Sequence, residues 1–216
     1  MWGYPFFKRR YMSKKWLFFD VGSTLIDESE CYNQRIRDAI NGTDISFEQF
    51  NEKRIEFAKQ NLKSDIEAIK YYNLVKTPWH KELEYPYPEA ERVLEILGKR
   101  RYKIGIIANQ LEGTAERLEN WGLLKYIDIV ISSAEEGIAK PDPEIFIRAL
   151  NRAECKSDRA VMIGDRLDND IYPAKKLGFS TIWVKQGFSS YQTPVNEAYI
   201  PDFTVEKLED ILSILK

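Results

Sequence analysis

Trp16-Leu17-Phe18-Phe19-Asp20-Val21-Gly22-Ser23-Thr24-Leu25 is the stretch that decides how this chain folds. Four apolar residues in a row, with no polar residue alternating between them, read as a strand covered on both faces, as in a parallel sheet. The run stops abruptly on a carboxylate, Asp20. A second run, Ala160-Val161-Met162-Ile163, ends in the same way, in Gly164-Asp165-Arg166-Leu167-Asp168-Asn169-Asp170, and an isolated Lys140-Pro141 lies between the two. Carboxylates at the ends of two buried strands, with a lysine between them in sequence, suggest a nucleophile, a divalent metal and an anionic substrate.

Outward from these runs, strands alternate with amphipathic helices. Lys103 to Ala108, Ile127 to Ser132 and Ser180 to Val184 read as further strands. Helices are expected from Pro88 to Lys99, Gly113 to Trp121, Pro143 to Asn151, Asn169 to Leu177 and Val205 to Leu215. Pro143 suits a first helical turn, where a missing N–H costs little. The alternation predicts an α/β fold, a Rossmann-like parallel sheet with helices on both faces. Residues 28–79 break the pattern: they are mostly helical, with Phe47, Phe50, Ile55 and Phe57 at apolar positions, and Pro78, Pro86 and Pro88 mark the way out. That block is too long for a crossover and reads as a small α-helical cap. The expected organisation is an extension at 1–15, a core built from 16–27 and 80–216, and the cap at 28–79. Ligands of open α/β sheets bind outside the carboxyl ends of the strands, where such a cap would close over the site and exclude water.

The 216 residues, 44% of them hydrophobic, suffice for one substantial core with an inserted subdomain. A net charge of −2, from 34 acidic and 32 basic side chains, gives no electrostatic case for nucleic acid or for an anionic membrane. No apolar run approaches the ~20 residues that span a bilayer. Cys31 and Cys155 are far apart and form no CxxC spacing, so the expectation is a reducing, cytoplasmic compartment without a disulfide framework or structural zinc. The first fifteen residues, MWGYPFFKRRYMSKK, are aromatic and basic but lack the apolar centre of a signal peptide; they are expected to be a disordered extension, or a misassigned start with Met12 as the natural first residue, in preference to a docking arm or surface anchor. Monomer and homodimer are both open at this level.

Four ordered elements together resemble the haloacid dehalogenase superfamily, in its version with a helical cap after the first motif. They are Phe18-Phe19-Asp20-Val21-Gly22-Ser23-Thr24-Leu25, Gly105-Ile106-Ile107-Ala108-Asn109, Lys140-Pro141-Asp142, and Ile163-Gly164-Asp165 through Asp170. The resemblance covers about residues 16–215. It implies a Mg²⁺-dependent hydrolase, a phosphatase acting on a small phosphorylated molecule through an aspartyl-phosphate on Asp20. Lys140 would neutralise the crowded anions and hold Asp20 in place. Asp20, the Gly22 carbonyl, Asp165 and Asp170 would hold the metal, with Asp170 as ligand or as partner of one and Asp168 as the alternative; such oxygen donors suit Mg²⁺. Blander readings exist for each residue: a turn-capping Asp, a surface lysine, an acidic helix N-terminus. They do not explain Gly-Asp directly after a fully apolar strand.

Two positions depart from the family's usual form. Gly22 stands where its phosphatases usually carry a second Asp, which protonates the leaving oxygen and later activates water; losing such a group costs about 10²–10⁴-fold. Ala108 stands where a Ser or Thr hydroxyl usually contacts the phosphate, a hydrogen bond worth ~1.5–3 kcal/mol. Ser23, Thr24 and Asn109, with Lys140, are the expected phosphate donors. Asp27 and the sole histidine, His80, are distant candidates for the missing proton source. The alternative reading is a catalytically weakened member that binds a phosphorylated ligand or a protein partner.

Overall fold

The computed structural model describes residues 15–216. Eight strands follow in chain order: β1 (Trp16–Phe19), β2 (Ile26–Asp27), β3 (Tyr85–Pro86), β4 (Lys103–Ala108), β5 (Ile129–Ser132), β6 (Ala160–Gly164), β7 (Ser180–Val184) and β8 (Phe203–Val205). Six of them form an all-parallel sheet in the order β5-β4-β1-β6-β7-β8. The expectation for residues 1–15 falls, apart from Lys15, outside the described residues.

β1 lies between β4 and β6, with Phe19 in register with Ile106 on one side and Ile163 on the other. Side chains alternate across the pleat, and both faces are covered. Leu17 and Phe19 join Ile104, Ile106, Val161 and Ile163 in one core layer, whereas Phe18 joins Ile107 and Met162 in the other. A helix at Ala90–Lys99 covers the first layer with Val93, Leu94 and Leu97. A helix at Pro143–Arg152 covers the second with Ile145, Phe146 and Ala149. Each such large apolar side chain contributes about 1.5–3 kcal/mol on full burial. The sheet is therefore rigid, and the loops leaving its carboxyl edge inherit fixed starting points. The register sets Asp20, just past β1, beside the end of β6, and the Asp20 N–H donates to the Ile163 carbonyl at 2.9 Å.

Three helices, α1 (Ser29–Ile40), α2 (Phe47–Lys59) and α3 (Ser64–Tyr71), make the block that interrupts the alternation. Ser46 and Gln49 close a capping box at the start of α2. Ile36, Phe50, Ala68 and Ile69 give the block its own small core. The chain enters and leaves it through β2 and β3, which pair antiparallel as Ile26 with Pro86 and Asp27 with Tyr85. Contacts of the block with residues 188–193 join it to the sheet domain, among them the Thr193 hydroxyl donating to the Lys59 carbonyl at 3.4 Å. Arg54 of α2 lies with its guanidinium 3.4 Å from the Phe188 ring centroid. Asn61 donates to the Thr193 carbonyl at 2.8 Å and accepts from the Thr193 N–H at 3.3 Å.

The structure differs from the expectation in two segments. The chain from Val205 to Leu215 is not one helix: Val205 pairs with Val184 as the end of β8, and only single turns at Leu208–Asp210 and Ile211–Ile214 follow. Leu208, Ile211 and Leu215 still reach the core, so the apolar spacing is met without a continuous helix. The segment after β6 opens as a wide turn at Leu167–Ile171, with Ile171 N–H bonding the Arg166 carbonyl, before a short helix at Tyr172–Lys176. Such wide turns are rare and gather at functional sites. Among the described residues no helix is long and apolar enough to cross a membrane. Cys31 is a buried free thiol.

Candidate active site

Four of the residues singled out from sequence meet at the carboxyl edge of the sheet. Asp20, Asp165 and Asp170 each offer a carboxylate oxygen within 4.8 Å of the others. Lys140, buried with them, places its Nζ 2.6 Å from Asp20 Oδ1 and 2.6 Å from Asp170 Oδ1. Burial works against the Lys140 ammonium, but Asp170 and Asp20 outweigh it and hold its pKa above the ordinary lysine value. Burial pushes the Asp165 carboxyl well above its usual range, and the charges of Asp20 and Asp170 push the same way. Asp170 rises to about 6 through burial, against the pull of Lys140.

Each side chain is aimed by local backbone. Asp170 folds back from the wide turn, takes the Arg166 N–H on Oδ2 at 3.0 Å, and settles against Gly164. A Cβ on Gly164 would stand 2.5 Å from Asp170 Cγ, so only glycine leaves room for that carboxylate. The Asp165 carbonyl is held by the Trp183 indole N–H. Asp168 turns away from the cluster to Arg166 and to Gln192 Nε2, the latter at 2.8 Å.

The expected phosphate donors divide. Ser23 and Asn109 line the cavity above the cluster, and so does the Gly22 backbone. The Asn109 amide is committed elsewhere: it donates to the Lys140 carbonyl at 2.8 Å and accepts the Lys140 N–H at 2.7 Å, a two-bond clamp that fixes where the lysine starts. Thr24 is fully buried, its hydroxyl has no hydrogen-bond partner, and it does not line the cavity. Ala108 is part of the core layer. His80 sits away from the cavity between Asp38, at 2.6 Å, and Glu82, at 3.0 Å. Asp27 accepts the Ser29 N–H at 2.9 Å at the start of α1.

The cavity has a volume of about 270 Å³ and is roofed by Tyr32, Arg35, Lys63 and Asp65 from the helical block. Arg35 is paired to Asp65 at 2.8 Å. Glu28, which no sequence signal marked, also lines the cavity. Its carboxyl accepts the Ser23 hydroxyl at 3.2 Å. Burial pushes it up to about 8, and the neighbouring Asp20 and Glu84 charges add to the shift.

Three carboxylates around one lysine leave an excess of negative charge in a buried place. Their hard oxygens suit a cation such as Mg²⁺, and such an ion would offset the burial, and the added charge repulsion, that raises the pKa values of Asp165 and Asp170. The donor set therefore fits a divalent metal.

Comparison with known proteins agrees with this architecture. The sequence profile described as haloacid dehalogenase-like hydrolase matches residues 17–184. A glyceraldehyde 3-phosphate phosphatase of Methanopyrus kandleri is 28% identical over 230 aligned positions, covering 94% of this chain and 97% of that protein. A pyrophosphatase PpaX of Bacillus velezensis is 31% identical over 159 positions, covering 73% of this chain and 72% of its own length. The crystal structure of a HAD phosphatase from Thermococcus onnurineus superposes with a TM-score of 0.62 at 24% identity, covering 93% of this chain and 97% of that one.

Proposed function

The chain belongs to the haloacid dehalogenase-like hydrolases, and from that premise we propose that it is a Mg²⁺-dependent phosphatase of a small phosphorylated metabolite, working through an aspartyl-phosphate on Asp20. One observation carries this reading: Asp20 is held at 2.6 Å by a buried lysine at the edge of a three-carboxylate cluster, facing the cavity between the sheet edge and the helical block. The two relatives named as phosphatases point to the same class of substrate.

In this reading Asp20 Oδ attacks phosphorus, the bond to the leaving oxygen breaks, and water then cleaves the acyl-phosphate. Lys140 offsets the charge on the nucleophile and orients it, through a backbone fixed by Asn109. Ser23 stands at the cavity wall, and its hydroxyl would have to leave Glu28, to which it donates, to serve phosphate. Asp20, Asp165, Asp170 and the Gly22 carbonyl would hold the metal, which supplies neutralisation of phosphoryl charge. The roof of Tyr32, Arg35 and Lys63 would exclude water and admit only a small molecule; Lys63 and Arg35 favour an anionic one.

Turnover of a panel of phosphate monoesters with and without Mg²⁺, on wild type and Asp20→Asn, tests this. Metal-dependent release of phosphate that falls at least ~10³-fold in Asp20→Asn supports it. Gly22 and Ala108 favour a second reading, a weakened member that binds a phosphorylated ligand. Clear ligand binding with no turnover of any ester would select that one.

A further inference from the structure

The position of Glu28 answers what Gly22 leaves missing. Seen from the backbone, a Cβ built on Gly22 would lie 2.5 Å from Glu28 Oε1, 2.6 Å from Oε2 and 2.7 Å from Cδ. The Glu28 carboxyl therefore occupies the very volume in which a side chain at position 22 would begin. It enters there from the start of the helical block rather than from the strand end. Glycine at 22 leaves open the volume that the free end of the Glu28 side chain fills.

The other acids of the cavity are committed. Asp20 is the nucleophile and is bound to Lys140; Asp170 is bound to Lys140 and to the Arg166 N–H; Asp165 completes the carboxylate cluster; Asp65 is paired with Arg35. Glu28 receives only a neutral donor, the Ser23 hydroxyl, and Ser23 holds a left-handed backbone, φ 54°, at the turn right after Asp20.

We propose that the Glu28 carboxyl is the general acid and base of this enzyme, delivered from the cap side in place of the side chain that Gly22 lacks; the inference rests on the phosphatase reading above. In the first step Asp20 Oδ bonds to phosphorus, the phosphorus–oxygen bond to the leaving group breaks, and that oxygen takes the Glu28 proton, giving an alcohol and a Glu28 carboxylate. In the second, the Glu28 carboxylate takes a proton from water as its oxygen bonds to phosphorus. The bond from phosphorus to Asp20 breaks, restoring the Asp20 carboxylate and releasing phosphate.

The test compares an alkyl phosphate, whose leaving oxygen needs a proton, with acetyl phosphate, whose leaving acetate needs none. Both are assayed with Mg²⁺ on wild type, Glu28→Gln, Glu28→Ala and Gly22→Asp/Glu28→Ala. Glu28→Gln should lower kcat/KM for the alkyl ester by about 10²–10⁴-fold and that for acetyl phosphate by less than about tenfold. On acetyl phosphate it should also show a burst followed by slow turnover, with acid-stable phosphate bound to the protein, because water is no longer activated. The double variant, which moves the carboxyl back to position 22, should recover at least about tenfold of the alkyl-ester activity of Glu28→Ala. Equal losses on the two substrates, or no loss on either, in folded Glu28→Gln would overturn the role of Glu28 and leave the phosphatase reading standing. A wild type that hydrolyses neither substrate would overturn both.

Discussion

Lys140 holds Asp170 at the same 2.6 Å at which it holds Asp20, so one buried ammonium ties the end of β1 to the turn after β6. The lysine is 2% exposed at its side chain and Asp170 1%, so water does not screen the contact between them. A pair this deep adds little net stability as a unit, because desolvation offsets attraction. Removing one partner is different, since it strands the other charges.

Lys140→Met should therefore destabilise the metal-free protein by about 3–5 kcal/mol. Urea unfolding at neutral pH measures this. A loss below 1 kcal/mol would mean that Asp20 and Asp170 find other compensation, and that the lysine is not what holds the cluster together.

The same cluster sets a pH dependence. Asp170 is pushed up to about 6, and Asp165 is raised as well. A carboxyl with a raised folded-state pKa binds its proton more tightly when folded, so its contribution is present below the unfolded value near 4 and is lost as pH rises through the folded value. Metal-free stability should thus fall from about pH 4 to about pH 6. Mg²⁺ at a hundredfold excess over its Kd should restore ~2.7 kcal/mol. Thermal melts across pH, with EDTA or Mg²⁺, decide the matter. A flat metal-free profile, or no shift with Mg²⁺ in wild type, would refute a strained cation site.

Gly164→Ala probes the room that Asp170 needs. The added methyl would meet Asp170 Cγ at 2.5 Å and Cβ at 2.7 Å, which are not the free end of a long side chain. Overpacking of about 1–3 kcal/mol is expected, together with weaker Mg²⁺ binding by calorimetry. Unchanged affinity would show that Asp170 does not contribute to the metal site.

His80, the sole histidine, should titrate above its ordinary value of 6.5, because the hydrogen bonds its ring donates to Asp38 and Glu82 favour the imidazolium. Its small stabilising contribution is present below the unfolded pKa and disappears as pH rises through the folded one. An NMR titration reads this directly, and Asp38→Asn should move the midpoint back down. A wild-type midpoint at or below 6.5 would contradict the bonded geometry at this corner of the helical block.

The sheet was legible because its central strands are buried almost throughout. Lys103–Ala108, polar only at its first residue, and Ser180–Val184, polar only at its first two, both emerge as read. Asp20 and Asp165 stood out because each comes at the end of an apolar run, Lys140 because it opens a Lys-Pro step, and Asp170 because it lies in the acidic segment that follows Asp165. The tail misled because Leu208, Ile211 and Leu215 satisfy helical spacing, while the open edge of β7 draws Val205 into a strand. Glu28 was not legible, since nothing in its spacing shows that its side chain folds back over Gly22; only the turn at Ser23 brings the two together. The committed amide of Asn109 and the sealed hydroxyl of Thr24 are likewise outcomes of packing. Composition identifies a donor, but only three-dimensional contact shows whether it is already engaged.

The bridge between Asn61 and Thr193, with Arg54 stacked on Phe188, has one more consequence. If, in the phosphatase reading above, the helical block moves about its β2–β3 connection to admit a reactant, these are the interactions that the movement must break. Hinged motions of this kind run on microsecond-to-millisecond timescales and often limit turnover. The ceiling on throughput would then be set at Asn61 and Thr193, far from where any covalent bond is made or broken.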